Sequence, residues 1–344
     1  MLALCNPETT IAVIVSKTFT TQETLTIYES IKQWLCDAAG NAQKAQAHFY
    51  AVTAGYNHAI AAGFLQTHIL KIWDWVGGRF SIWSAVSFSV ILALGVDNFK
   101  RFLSGAHQMD LHFQQTPLQN NAPVIMALLA IWYNNFFHAH AKAIIPYSSR
   151  LTALPIYLQQ LHMESLGKSV TTTGEKIQYA TGRIIMGDTG PRSQHSFHQL
   201  LMQGSLMIPV DFILPLRDAQ FNESANNYDI KRAAYCLSQS QTLMQGYETP
   251  NTMQAISGDR PSTTIIMDCL TPETLGALLA LYEHKVFVKS IMWDINAFDQ
   301  WGVERGKQIA KELITCLSEN KKCDSADSST AGLLERISRR LLEI

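Results

Sequence analysis

Between Ile11 and Leu35 the chain reads IAVIVSKTFTTQETLTIYESIKQWL. Ile11 to Val15 is a β-branched run without a turn residue, the composition of a buried parallel strand. Ser16, Lys17, Thr18, Thr20 and Thr21 then form a hydroxyl-rich loop. From Gln22 to Leu35 apolar residues return at helical spacing, at Leu25, Tyr28, Ile31 and Leu35. Thr20, with Glu23 three residues on, has the form of a capping box and predicts a helix N-terminus here. Strand, loop and helix in that order are the repeating unit of an α/β sheet.

The same alternation extends along the chain. A second strand is expected at His48 to Val52, with helices over Ala61 to Trp73, Arg79 to Leu94 and Pro123 to Phe136. Short strands are expected at Ile184 to Met186, Met207 to Ile213 and Val286 to Trp293. Between and after them helices are expected over Gln194 to Met202, Ile230 to Gln245, Pro272 to Glu283 and Gln300 to Leu317. A further short helix is expected over Leu333 to Ile344. No repeat of solenoid period and no low-complexity tract interrupts the pattern. At 344 residues the length suggests about two domains.

Composition narrows the function. Hydrophobic residues make up 47% and charged residues 16%, and the formal net charge is -1. That balance offers no electrostatic reason for a nucleic acid or an anionic membrane surface as partner, so an anionic substrate must be held by local donors. The six cysteines show neither a CxxC pair nor metal-ligand spacing, which points to reduced thiols and to no structural metal. MLALCNPETT lacks the basic and apolar regions of a secretory signal. The apolar stretches Phe88 to Val96 and Ala122 to Tyr133 are shorter than the roughly 20 residues that span a bilayer. A cytoplasmic protein with no membrane partner is the expectation.

Several segments invite chemistry. A hydroxyl cluster between a strand and a helix N-terminus offers side-chain donors, free backbone N–H groups and the positive end of the helix dipole to one anion, and a phosphate ester suits it. Capping and turn formation account for the same residues about as well. In WDWVGGRFSIWSA, from Trp73 to Ala85, Gly77 and Gly78 allow close backbone approach, and Arg79 follows as a permanently charged planar donor. A helix-capping turn is the commoner use of such a triplet. Glu164, in HMESLGKS (His162 to Ser169), is locally indistinguishable from any surface glutamate. His195 and His198 lie three residues apart, but no third ligand stands at a recognisable spacing, which argues against a metal. Lys307, taken alone, reads as a solvated helix face.

Taken together these segments have a family likeness. FDQWGVERGKQIAKEL, from Phe298 to Leu313, with WDWVGGRFSIWSA, closely resembles the two signature segments of the phosphoglucose isomerase family. VSKTFTTQET (Val15 to Thr24) and HMESLGKS resemble that family's phosphate-binding and catalytic-base segments, in the family's order. The resemblance runs to about Leu317. It implies two doubly wound sugar-isomerase (SIS-type) domains, here residues 1–105 and 106–317 followed by a tail at 318–344. It also implies that the first domain is truncated at its N-terminus, before which the family carries a Gly-rich turn. A parallel sheet without its leading strands loses hydrogen-bonding partners and apolar cover, so this chain alone is expected to show little or no activity.

The resemblance further implies interconversion of glucose 6-phosphate and fructose 6-phosphate through a cis-enediol, without cofactor or metal, in glycolysis and gluconeogenesis. Glu164 is then the proton-transfer base, and Arg79 stabilises the enediolate charge. His195, supplied by the partner subunit of a homodimer, opens the sugar ring with help from Lys307. Ser16, Lys17, Thr18 and Thr21 hold the phosphate, while Gly78 and Gln300 contact the substrate. The chain departs from the family pattern at Leu166, Pro191 and Arg192. The rival readings are a non-catalytic sugar-phosphate-binding protein and an inactive remnant of the enzyme.

Overall fold

The computed structural model describes residues 2–217, 226–319 and 321–342. Its backbone divides into two units, Met1–Ala297 and Phe298–Ile344. The first unit holds two wholly parallel sheets. Strands β1 (Ala12–Val15), β2 (Phe49–Thr53) and β3 (Ile69–Lys71) pair in the order β1-β2-β3. Strands β4 (Ala141–Pro146), β5 (Ile184–Gly187), β6 (Val210–Pro215) and β7 (Ser262–Met267) pair in the order β5-β4-β6-β7. Register follows from the pairs Ile14 with Ala51, Val52 with Leu70 and Ile144 with Asp211. In a parallel sheet all strands end at one edge, so the loops after β1, β2 and β3 leave the first sheet together.

The Gln22–Ala39 helix covers β1 by burying Tyr28 and Leu35, and Tyr28 packs with Phe49 and Phe64 in the first core. Its start differs from the capping box expected at Thr20 and Glu23. Thr21 is the N-cap residue and makes no side-chain cap bond, because its hydroxyl faces Ser16 and that of Thr20 faces Thr18.

The span Ala61 to Trp73 is not the expected helix. A short helix ends at Ala61, and Ile69–Lys71 takes parallel ladder bonds from β2, which outweigh the helical spacing. Over Arg79 to Leu94 the α-helix begins only at Phe88, after two 3-10 turns. The helix expected over Gln194 to Met202 is split, ending at Gln194 and resuming at His198.

Val286 to Met292 lies inside a helix, Pro272–Met292, with Trp293 as its C-cap, where a strand is expected from its β-branched and aromatic residues. A Thr271–Thr274 capping box and Pro272 start that helix, and neither proline nor glycine interrupts it after Gly276. Spacing of four then puts Lys285 and Lys289 on one face, both buried. The sequence pattern does not single out the Val96–Gln115 helix, β4 or β7. The Val96–Gln115 helix meets the Pro272–Met292 helix backbone to backbone. A Cβ at Gly105 would stand 1.8 Å from the Glu273 carbonyl oxygen, and one at Gly276 would stand 2.0 Å from that of Phe102.

The second unit contains the helices Trp301–Ser318 and Ser328–Leu342. No helix among the described residues is long and apolar enough to cross a membrane.

Candidate active site

Three sequence-distant segments meet around one guanidinium. Arg79 sits in the 3-10 turn Gly78–Phe80 and is 4% exposed. Its Nη1 stands 3.1 Å from Glu164 Oε2, its Nε–H donates to Ser165 Oγ at 2.7 Å, and its Nη2 donates to the Ala297 carbonyl. Several directions of the planar fork are thus occupied, so the cation has a fixed position and orientation.

Glu164 closes a π-helical turn, Gln160–Glu164, that continues the Leu154–Gln159 helix. A π-turn widens the backbone by one residue and re-aims the side chain at its end. The Glu164 side chain is 25% exposed, far more open than its partner. Oε2 takes the Arg79 contact and a hydrogen bond from Gln160 Nε2 at 3.2 Å, while Oε1 has no bond among the described residues. Lys168 Nζ donates to the Glu164 backbone carbonyl at 3.1 Å, which ties down the turn. Leu166, a departure from the family pattern, is fully buried in the core, so it packs and does not enter the polar cluster.

Beneath Glu164 the interior is charged. Asp211 on β6 is fully buried between Lys142 Nζ at 2.6 Å and Lys285 Nζ at 3.3 Å, and it accepts the Tyr282 hydroxyl at 3.1 Å. Burial alone would raise its pKa, but the two ammonium groups hold it well below the usual carboxylate range. Lys289 lies over the Trp293 ring at 4.7 Å, and burial, reinforced by Arg183, pushes its pKa well down. His162, two residues before Glu164, is also driven down by burial and then by Lys289, so its imidazole stays neutral.

The hydroxyl loop is a formed cradle at the carboxyl end of β1. Ser16 Oγ and Thr21 Oγ1 lie 3.1 Å apart, and Thr18 Oγ1 and Thr20 Oγ1 lie 2.6 Å apart. Backbone bonds hold it: the Lys17 carbonyl accepts from Ala54 N, Gly55 N and Thr53 Oγ1, and the Thr18 carbonyl faces His58 Nδ1. Phe19, at φ 56°, is buried against Phe64 and anchors the turn. A Cβ at Gly55 would stand 2.4 Å from the Thr18 carbonyl oxygen, so only glycine permits this approach. The loop leads into the Gln22–Ala39 helix, whose first N–H groups receive no side-chain cap.

The other residues singled out from the sequence stand on other elements. His195 is exposed at the end of the Gly190–Gln194 helix and lines a cavity of about 510 Å³ with Ser149, Thr189 and Lys231, at the carboxyl ends of β4 and β5. Arg79 and Glu164 do not line that cavity. Pro191 borders it, and Arg192 turns away to pair with Asp188 at 3.3 Å. In the second unit Gln300 is the N-cap of the Trp301–Ser318 helix, and Lys307 on that helix pairs with Glu304 at 2.9 Å with its side chain 65% exposed. No group of three or more metal-ligating side chains occurs among the described residues.

Ser165, Tyr157, Trp83 and Glu283 were not legible as site residues. Tyr157 donates to Glu283 Oε1 at 3.0 Å and approaches the Arg79 carbonyl at 3.4 Å, while Trp83 Nε1–H donates to Glu283 Oε2 at 2.8 Å. The signal available was slight: Tyr157 and Glu283 are polar groups within largely apolar helical runs, while Trp83 and Ser165 carry no local mark.

Known proteins resemble the chain over nearly its whole length. The family model described as phosphoglucose isomerase matches residues 1–334. A glucose-6-phosphate isomerase from Coxiella burnetii is 48% identical over 96% of the chain, and one from Shewanella oneidensis is 44% identical over 97%. A crystal structure of a glucose-6-phosphate isomerase from Chlamydia trachomatis superposes with a TM-score of 0.85 at 34% identity, covering 99% of this chain and 64% of that one. A hypothetical protein from Thermus thermophilus, 24% identical, shares the fold with a TM-score of 0.74 over 91% of this chain and 73% of its own. The chain spans 63% of the Coxiella relative and 64% of the Shewanella one. With a family match running from the first residue to the last helix, the chain belongs to the phosphoglucose isomerase family.

Proposed function

We propose that this chain carries the proton-transfer site of an aldose–ketose isomerase that interconverts glucose 6-phosphate and fructose 6-phosphate. The observation that carries this reading is the Arg79–Glu164 pair: a fixed, buried cation 3.1 Å from a carboxylate that keeps one oxygen open. Moving a proton between C2 and C1 of a sugar needs a base that can reach two adjacent carbons and a positive charge for the enediolate oxygen. Glu164 Oε1 is the base. As negative charge grows on the substrate oxygen, that oxygen takes over the Nη1 contact of Arg79, and Glu164 is freed from its ion pair as it accepts the proton. Because the guanidinium is already held by Ser165 and Ala297, little reorganisation is needed when charge appears.

The phosphate belongs in the Ser16, Lys17, Thr18 and Thr21 cradle, where hydroxyls, an ammonium and a helix N-terminus converge on an anion. Gly78, directly before Arg79, lets the substrate approach the backbone. His195 and Lys307 move the proton of ring opening, and Gln300 contacts the sugar. His195 comes from the second copy in a homodimer, a reading supported by its exposure on a different element from Glu164. Each of the spans 1–105 and 106–317 contains one parallel sheet, in keeping with two sugar-isomerase domains. The chemistry calls for no metal or organic cofactor, and a cytoplasmic place in glycolysis and gluconeogenesis follows from the reading.

The test is exchange of the substrate C2 proton with solvent. Glu164→Gln should abolish exchange and isomerisation while sugar-phosphate binding persists. Near-normal isomerisation by that variant would overturn the assignment.

A further inference from the structure

Glu283 lies on the Pro272–Met292 helix, more than a hundred residues from either partner in sequence, and both of its carboxylate oxygens are engaged. Oε2 accepts Trp83 Nε1–H at 2.8 Å, and Oε1 accepts the Tyr157 hydroxyl at 3.0 Å. Trp83 is four residues after Arg79 on the same segment, and its ring stacks on Phe102 at 4.9 Å. Tyr157 lies on the Leu154–Gln159 helix that runs directly into the π-turn bearing Glu164, and its hydroxyl also reaches the Arg79 carbonyl at 3.4 Å. One carboxylate therefore joins the segment of the cation to the segment of the base.

We propose that Glu283 is a positioning residue, a two-oxygen acceptor that clamps Trp83 and Tyr157 and thereby sets the Arg79 guanidinium against Glu164. This rests on the reading of Arg79 and Glu164 given above.

The clamp keeps this pattern of two incoming hydrogen bonds only with an ionised carboxylate. Both partners are donors, and an ionised carboxylate is acceptor-only, so it satisfies both. A proton on Oε2 would face the donor-only Trp83 N–H and open that bond, whereas a proton on Oε1 reverses the Tyr157 bond: the phenol oxygen accepts it and turns its own hydrogen to the Arg79 carbonyl 3.4 Å away. Burial pushes the Glu283 pKa up to about 7, against the opposing pull of the Trp83 and Tyr157 hydrogen bonds, and Asp110 adds to the rise. The charged groups around it agree. From the Val96–Gln115 helix comes Asp110, which pairs with His284 at 2.7 Å. The other two packed segments contribute Trp83 and Tyr157, and Lys285 on its own helix is directed to Asp211. Protonation below neutral pH thus rewires the clamp, either by opening the Trp83 bond or by reversing the Tyr157 bond onto the Arg79 segment.

The experiment follows the Trp83 indole N–H and the Arg79 Nε–H resonances of the ¹⁵N-labelled protein across pH, assigned with Trp83→Phe and Arg79→Lys. Both should titrate together around neutral pH in the natural chain, and neither should in Glu283→Gln. In turnover, Glu283→Gln should lower kcat about tenfold with KM nearly unchanged and should erase the neutral limb of the pH profile, and Tyr157→Phe should do part of this. A Trp83 resonance that does not titrate, an Arg79 resonance that stays still while Trp83 moves, or an unchanged pH profile in Glu283→Gln would each overturn the proposal. Failure of the isomerase reading looks different: both resonances titrate together and no substrate turns over.

Discussion

Asp211 and Glu164 are both carboxylates paired with buried cations, and they are built for opposite ends. Asp211 is wholly enclosed, with the Lys142 ammonium against one oxygen and Lys285 and Tyr282 against the other. Around Glu164 the arrangement is reversed: the cation is buried and fixed, while the carboxylate is a quarter exposed with one oxygen open. A wholly enclosed carboxylate can only hold structure together. An open one can give up its cation to another anion, because the cation stays desolvated and oriented when the carboxylate leaves.

The comparison breaks most sharply by removing each charge in turn. Asp211→Asn leaves Lys142 and Lys285 buried beside a neutral amide, and the expected cost is about 3–5 kcal/mol, read by urea denaturation. A loss under about 1 kcal/mol would mean that water reaches the cluster. Glu164→Gln should reverse the pattern, changing stability by less than about 1 kcal/mol while lowering isomerisation by about 10²–10⁴-fold.

The pH dependence of stability sharpens the same contrast. Lys289 has a folded-state pKa well below that of the unfolded chain, so between the two values the unfolded state binds one more proton. Its penalty is full below the folded pKa and is lifted as pH rises toward the ordinary lysine value. Stability should therefore increase from neutral to mildly alkaline pH. Lys289→Met, which keeps the packing over Trp293 without the charge, should be more stable at pH 7 by about 1–3 kcal/mol and should show a flatter profile. A profile as steep as the natural chain's would assign the slope to another group.

The smallest expected effect asks whether the hydroxyl loop belongs with the open half of the comparison. Thr18→Val with Thr21→Val should weaken a sugar phosphate about tenfold more than the unphosphorylated sugar, measured by calorimetry. Equal losses for the two ligands would make the hydroxyls structural.

Local pattern was strongest where one short segment carries the whole signal. The β1 run, the loop and the Gln22–Ala39 helix follow from β-branched residues, hydroxyls and apolar spacing within a few turns of chain. It failed at Val286 to Trp293, whose β-branched and aromatic residues read as a strand. There the capping box upstream and the burial of Lys285 and Lys289 on one face hold a helix. It failed again at β3, a three-residue strand that exists because β2 offers it a ladder.

By itself the sequence determined the α/β class, the family and the types of group available for proton transfer, since these are written in contiguous segments. Tertiary structure alone decided which groups meet. Arg79 reaches Glu164 across 85 positions and Ala297 across 218, and Glu283 gathers Trp83 and Tyr157 onto one carboxylate. No periodicity encodes such meetings, because they arise when parallel strands and crossing helices bring distant turns together. The same folding sets each group's exposure, and so separates a carboxylate that holds the core from one that can take a proton.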